Sequence, residues 1–339
     1  MLNDLDMRVN EVIAPYAQES STASVSIGIL KDNQISYYGY GETKKGNNII
    51  PDSETIYEIG SITKTFTALL MIDYLQSNSL SIDCPINNLL PADIPLLQYN
   101  SKPIRIKHLL NHTSGLPRLP DDFNNGSDPN NPYKHYDSTK MYSFLKTFNL
   151  QREPGKTFEY SNFGMGLAGI ILERQTHASY EQLLLEKICI PLGLDKTKII
   201  LDKIDSLNFA IGHDDKGNQA PHWDDLNAFN GAGAIKSNAR DLVHYGKSIL
   251  SSQSTGIKTQ IDSCLNVTFI SSDTKMASGW GYQYKNGYEF YSHAGGTAGF
   301  SSKIVICKNK NIVLVVLFSN ASSDKRFDYV NQILIEIFK

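Results

Sequence analysis

From Gly279 to Ser319 the chain reads GWGYQYKNGYEFYSHAGGTAGFSSKIVICKNKNIVLVVLFS. Four β-rich runs stand in it, GWGYQY, YEFYSHAGG, FSSKIVIC and NIVLVVLFS, rich in aromatic and β-branched residues and separated by polar or glycine-bearing turns. The seven-residue apolar run Ile312–Phe318 is too short to cross a bilayer and fits a buried strand. At the other end of the chain SVSIGILKD and QISYYGYG, joined through the polar KDNQ, read as two more strands. Between these ends, from about Glu58 to Leu250, the helical period dominates, and FDYVNQILIEIF closes the chain as an amphipathic helix. This pattern predicts an α+β fold: one antiparallel sheet built from both chain ends, flanked by helices, with a mostly helical subdomain inserted.

The 339 residues suit one or two domains, with an ordinary globular balance of 41% hydrophobic and 20% charged residues. A formal net charge of −3 without a dense Lys/Arg run argues against nucleic acid as a partner. The opening MLNDLDMRVNEVI has apolar residues at helical spacing and lacks the basic and apolar regions of a secretion signal. The expected location is periplasmic or extracellular if a leader has been removed, and cytoplasmic otherwise. Cys84, Cys189, Cys264 and Cys307 are scattered with no CxxC pair, so they read as buried small hydrophobes rather than disulfides or zinc ligands. The stretch PRLPDDFNNGSDPNNPYKHYDS, Pro117 to Ser138, is rich in Pro, Asn and Asp. It is expected to build no core of its own and to serve either as a lid or rim or as mobile surface.

The stretch YEIGSITKTFTALLMIDYL, Tyr57 to Leu75, sets Ser61 and Lys64 three residues apart after a glycine, at the mouth of an apolar helix. On a helix these positions share one face, about 5–6 Å apart. A serine hydroxyl becomes a nucleophile when a neighbouring base takes its proton, and a lysine can serve once burial or nearby positive charge lowers its proton affinity. Phe66, Leu69, Leu70, Ile72 and Leu75 supply an apolar body to fix the pair. The SxxK spacing alone is weak, since Ser143/Lys146, Ser272/Lys275 and Ser322/Lys325 repeat it.

Two other stretches single out Ser61. In EPGKTFEYSNFGMGLAGIIL, Tyr160 and Asn162 flank Ser161 before an apolar helix. A phenol near a lysine can move protons, and an amide can hold both a lysine and a substrate carbonyl. The bland reading makes Tyr160 a packing residue and Asn162 a helix cap. The same YxN letters at Tyr284–Asn286 and Tyr329–Asn331 fit a turn and a helix. In YSHAGGTAGFSSKIVI, His293 followed by Ala294, Gly295 and Gly296 offers a strand edge that a substrate can approach closely. His108 and His112 in HLLNH have the i, i+4 spacing of metal ligands but lack the Glu of HExxH and a third ligand, so no metal is expected. No cofactor is implied. A GxSxG nucleophile elbow is absent.

Together the three stretches resemble the serine β-lactamase and penicillin-binding-protein superfamily, whose signature pairs SxxK with a Lys-Thr-Gly triplet. The Tyr-Ser-Asn form resembles the class C β-lactamase-like branch, which also holds D-alanyl-D-alanine carboxypeptidases, D-amino-acid peptidases and esterases. IRIKHLLNHTSGLP, GAGAIKSNARDLVHYGKSIL and GWGYQY are similar to its wording as well. The resemblance implies a β-lactamase/transpeptidase-like fold, a single catalytic unit over 1–339 with a helical subdomain inserted at about 80–225. It implies Ser61 as the acylated nucleophile, Lys64 as proton acceptor, and Tyr160 as proton shuttle or base held with Lys64 by Asn162. The oxyanion would rest on the N–H groups of Ser61 and Gly296, with Ala294 and Gly295 completing the substrate edge. His293 takes the place usually held by Lys, and Ala294 that of a Thr or Ser that helps bind a carboxylate. Both departures count against fast β-lactam hydrolysis.

The resulting expectation is a serine hydrolase of the D-alanyl-D-alanine carboxypeptidase and β-lactamase type, acting through an acyl-enzyme on a small-molecule or peptide substrate: a cell-wall peptide, a β-lactam or an ester. A carboxylesterase of the same branch is the nearest alternative. A catalytically silent module that binds peptidoglycan or a partner is the alternative of another class. An unperturbed histidine titrates near pH 6.5, so any binding of anionic substrates that depends on His293 should weaken as pH rises from about 6 to 8. The sequence assigns no oligomeric state.

Overall fold

The computed structural model describes residues 4–19, 23–251, 256–321 and 324–339. Its main sheet has eight strands: β1 (Val25–Lys31), β2 (Gln34–Tyr40), β3 (Phe269–Ile270), β4 (Lys275–Met276), β5 (Gly281–Lys285), β6 (Tyr288–Gly296), β7 (Ser301–Cys307) and β8 (Ile312–Phe318). They lie in the order β2-β1-β8-β7-β6-β5-β4-β3, with antiparallel neighbours throughout. Val25 pairs with Phe318 and Leu30 with Val313, so the first strand closes on the last and both chain ends build one sheet.

Every residue of β8 is buried, because both faces of the strand are covered. Val313, Val315 and Leu317 face the larger core, shared with α2 (Thr63–Ser77), α3 (Asn162–Thr176) and α4 (Ala239–Leu250). Ile312, Leu314, Val316 and Phe318 face a second core under α1 (Asp4–Glu19) and α5 (Asp324–Ile337). A strand covered on both sides shows a continuous apolar run instead of alternation, which is why IVLVVLF reads as it does. All four cysteines are free and buried. Among the described residues no helix is long and apolar enough to cross a membrane.

Residues 41–268 lie between β2 and β3. Within them the stretch 80–225 supplies α3 and shorter helices such as Ile106–Leu110 and Ser138–Thr147, joined by long irregular connections. One continuous apolar cluster links this part to the sheet, running from Leu109 and Ile171 through Phe66 to Ile304 and Val315. The polar stretch 117–138 departs from expectation. Phe123 and Tyr136 are buried, and the Phe123 ring packs 5.0 Å from Tyr133 and 5.5 Å from Phe229, centroid to centroid. The Tyr136 hydroxyl donates to Asp122 at 2.9 Å. Three aromatic residues among the Pro, Asn and Asp thus give the loop a core, and it forms a seated rim.

Candidate active site

Tyr57–Glu58 pairs with Lys236–Ser237, a tight 3-10 turn follows at Gly60–Ile62, and α2 starts at Thr63. Gly60 answers why a glycine precedes Ser61. Its φ is +48°, and a Cβ there would come within 2.7 Å of Gly296 N. Only glycine tolerates both the left-handed backbone and the close approach. The Ser302 hydroxyl, from β7, donates to the Ile59 carbonyl at 2.9 Å and ties the turn to the sheet. The β6 backbone therefore presses against the turn, and Ser61 sits beside the amide of Gly296. Beyond Ser292, which pairs with Gly281, the edge of β6 from His293 to Gly296 has no strand on that side among the described residues. The expected open edge is there.

Lys64 is fully buried. Its side-chain nitrogen donates to Ser61 Oγ at 2.9 Å and to the Ala232 carbonyl at 2.5 Å. Burial, helped by the Arg118 guanidinium, holds its proton affinity well below the ordinary lysine range. Lys64 Nζ lies 4.9 Å from the centre of the Tyr160 ring and the Arg118 guanidinium 5.2 Å from it. Burial pushes the Tyr160 phenol up to about 12, against the pull of the Ser61 hydroxyl and Arg118. One amine is thus easily deprotonated and one phenol keeps its proton. Of the two candidate bases, the electrostatics favours Lys64.

Asn162 is the first residue of α3, but the cap is Ser161, whose hydroxyl accepts from Gly164 N at 2.8 Å and donates to the Pro117 carbonyl at 2.6 Å. The expected grip of Asn162 on Lys64 is not made. Lys64 is held by Ser61 and Ala232, while Asn162 lines a cleft of about 250 Å³ with Ser61, Tyr133 and Trp223. Its Oδ1 is buried without a hydrogen-bond partner among the described residues. The backbone N–H groups of Asn162 and Phe163 both donate to the Arg118 carbonyl at 3.1 Å, which ties the start of α3 to the 117–138 rim.

His293 also departs from expectation. It is buried, and burial together with Lys64 pulls its imidazole down to about 3, far from a midpoint near 6.5. Nδ1 lies 2.7 Å from the Ala294 carbonyl. A carbonyl oxygen only accepts, so Nδ1 carries the hydrogen and Nε2 is left as a bare acceptor. A neutral ring in this tautomer offers a carboxylate neither charge nor a second donor.

The other SxxK pairs lie elsewhere. Lys146 forms a surface ion pair with Asp93 at 2.6 Å, Ser272 donates to Asp273 in a turn, and Ser322 lies outside the described residues. His108 and His112 do not converge on a shared site: His108 Nδ1 accepts from Arg105 N at 3.1 Å. His112 instead belongs to the Tyr160 wall. Its ring lies 4.3 Å from that of Tyr160, tilted by 32°, and its Nδ1 accepts from Ser161 N at 3.2 Å. Sequence reading had HLLNHTSGLP in view yet missed that this segment backs the Tyr-Ser-Asn stretch, and missed Arg118 directly after it. Lys303, on β7, carried no motif at all. Its position opposite Ala294 is visible only once β6 and β7 are in register.

A serine beside a buried amine, a protonated phenol next to both, and an open strand edge define a serine hydrolase that works by acyl transfer. The chain belongs to the β-lactamase family, whose model it matches over residues 9–337. It is similar, at 25% identity over 351 residues, to the D-alanyl-D-alanine-carboxypeptidase/endopeptidase AmpH of Escherichia coli K12, covering 97% of this chain and 89% of that one. It is 28% identical over 245 residues to a β-lactamase of Pseudomonas fluorescens, covering 71% of this chain and 64% of the relative. A solved β-lactamase/D-alanine carboxypeptidase of Yersinia pestis shares its fold with a TM-score of 0.83 at 24% identity, over 98% of this chain and 99% of that one. The chain is accordingly a hydrolase of the D-alanyl-D-alanine carboxypeptidase and β-lactamase type.

Proposed function

We propose that this hydrolase cleaves amide or ester bonds of small D-amino-acid peptides and related acyl compounds through an acyl-enzyme on Ser61, and that it turns over β-lactams poorly. The observation that carries the reading is the 2.9 Å contact between Ser61 Oγ and a buried Lys64 whose charged form is disfavoured. The Ser61 proton passes to Lys64 Nζ as Oγ bonds to the substrate carbonyl carbon. The oxyanion rests on the N–H groups of Ser61 and Gly296. As the carbon–nitrogen or carbon–oxygen bond breaks, Lys64 returns the proton to the leaving group through the Tyr160 hydroxyl. Water then repeats the sequence on the ester and frees the acid and Ser61. Ala294, without a hydroxyl, and the neutral His293 speak against the rapid β-lactam turnover of specialised β-lactamases.

A panel of nitrocefin, a D-alanyl-D-alanine peptide and p-nitrophenyl esters tests this. Peptide and ester should exceed nitrocefin in kcat/KM; nitrocefin as the preferred substrate would overturn it. Ala294 also favours a carboxylesterase reading, which the same panel isolates: esters consumed, the peptide left intact.

A further inference from the structure

On the β6 side of Ser61 lies a second space of about 480 Å³, bounded by Tyr160, His293, Ala294, Lys303, Arg118 and Phe327. Among the described residues none of those lining it is acidic. Lys303 stands directly across from Ala294 in the β6–β7 register, so the two side chains share one face of the sheet. That face is the one covered by α5, which brings Phe327 to the same wall. The Lys303 side chain is half-buried, and among the described residues its ammonium has no hydrogen bond and no ion pair. Burial alone lowers its proton affinity, with no acid to offset it. A shielded cation without a counter-ion is costly, and a substrate anion entering the space would relieve that cost. Its neighbour Ala294 is only a methyl group, so nothing on that position obstructs the path to Lys303. His293, neutral and with its one N–H committed to Ala294, cannot supply the charge.

We infer that Lys303 is the cation that reads a carboxylate on the leaving-group side of the substrate, taking over a task that the His293-Ala294-Gly295 triplet has given up. The inference rests on the acyl-enzyme reading above and names the chemical class that the β6-side space accepts: leaving groups with a free carboxylate, such as a C-terminal D-amino acid. Arg118, exposed over the Tyr160 ring, faces the same space and adds to its positive field.

The test is a matched pair of esters with one acyl group, a 3-carboxyphenyl and a 3-carbamoylphenyl ester, assayed on the full chain and on Lys303→Met, Lys303→Arg and Arg118→Met. The wild type should prefer the carboxylate ester, more so at low ionic strength. Lys303→Met should cut the carboxylate-to-amide ratio of kcat/KM by about 10–100-fold, the range for a hydrogen bond to a charged group, and Lys303→Arg should restore most of it. An unchanged ratio in Lys303→Met, an equal loss on both esters, or a ratio lost only in Arg118→Met would each overturn the assignment while leaving the hydrolase intact. A wild type that consumes neither ester would instead fail the acyl-enzyme reading, and this inference with it.

Discussion

Lys64 and Tyr160 share one enclosure, yet burial drives their proton affinities apart, the amine down and the phenol up. Desolvation penalises whichever form is charged, so burial disfavours both the ammonium and the phenolate. Tyr160→Phe keeps the ring that packs on His112 and removes the hydroxyl that we propose relays the proton. kcat should fall by ~10²–10⁴-fold with an unchanged melting curve; a loss under about threefold would leave Tyr160 a packing residue. Arg118 lowers the proton affinity of Lys64 as a like charge. In Arg118→Met the charged form of Lys64 regains favour, so less free amine is present at a given pH. The acid limb of kcat/KM should therefore move to higher pH, and more at low salt than at high; a limb that stays put would remove Arg118 from the tuning of Lys64. His293 holds no proton to lose between pH 6 and 8, so His293→Gln should not change the shape of the KM profile for anionic substrates there. A rise in KM over that range that vanishes in the variant would return the charge to His293.

The turn at Gly60–Ile62 and the end of β6 are built against each other, and Gly60 is where they meet. Gly60→Ala must strain the left-handed backbone at a cost of about 1–2 kcal/mol and also push the Gly296 amide away. Gly126, in the 117–138 rim, has φ +79° with nothing near its would-be Cβ. Gly126→Ala therefore bears the strain alone. Gly60→Ala should lose stability of the same order in urea melts and in addition ~10²–10³-fold in kcat, the cost of one oxyanion donor. Equal kinetics for the two variants would contradict the oxyanion role of Gly296. Elements of this kind were legible in part. The apolar body of α2 and the run of β8 announced themselves by composition, and the open edge of β6 by its glycines. The seated rim was not legible, because Phe123, Tyr133 and Tyr136 find Phe229 only across some hundred residues of chain. The hold of Asn162 on Lys64 expected from sequence is not made, and the Asn162 backbone N–H bonds the Arg118 carbonyl across the chain.

Across the whole molecule, buried acids tie stability to pH, Glu58 among them. Glu58, three residues before Ser61, is pushed up to about 7 by burial from an ordinary carboxylate value of 4.5, with Trp223 N donating to it at 2.7 Å. Between these values the folded chain binds more protons than the unfolded one, so stability present at low pH is lost as pH rises through about 7. The loss is about 3 kcal/mol at most. Glu58→Gln should flatten that slope in denaturant titrations from pH 5 to 8; an unaltered slope would assign it to other groups. The sequence made the sheet and the contact of Ser61 with Lys64 readable because each lies in a local pattern. It hid Arg118, His112 and Lys303, whose parts depend on segments that meet only in the fold. The central claim is that Ser61 alone is activated, by Lys64. Intact-mass labelling with a fluorophosphonate, followed by peptide mapping, tests it most directly. A single adduct on Ser61, absent in Ser61→Ala and retained in Ser143→Ala, is the predicted result; an adduct that survives Ser61→Ala, or none on the wild type, would contradict it.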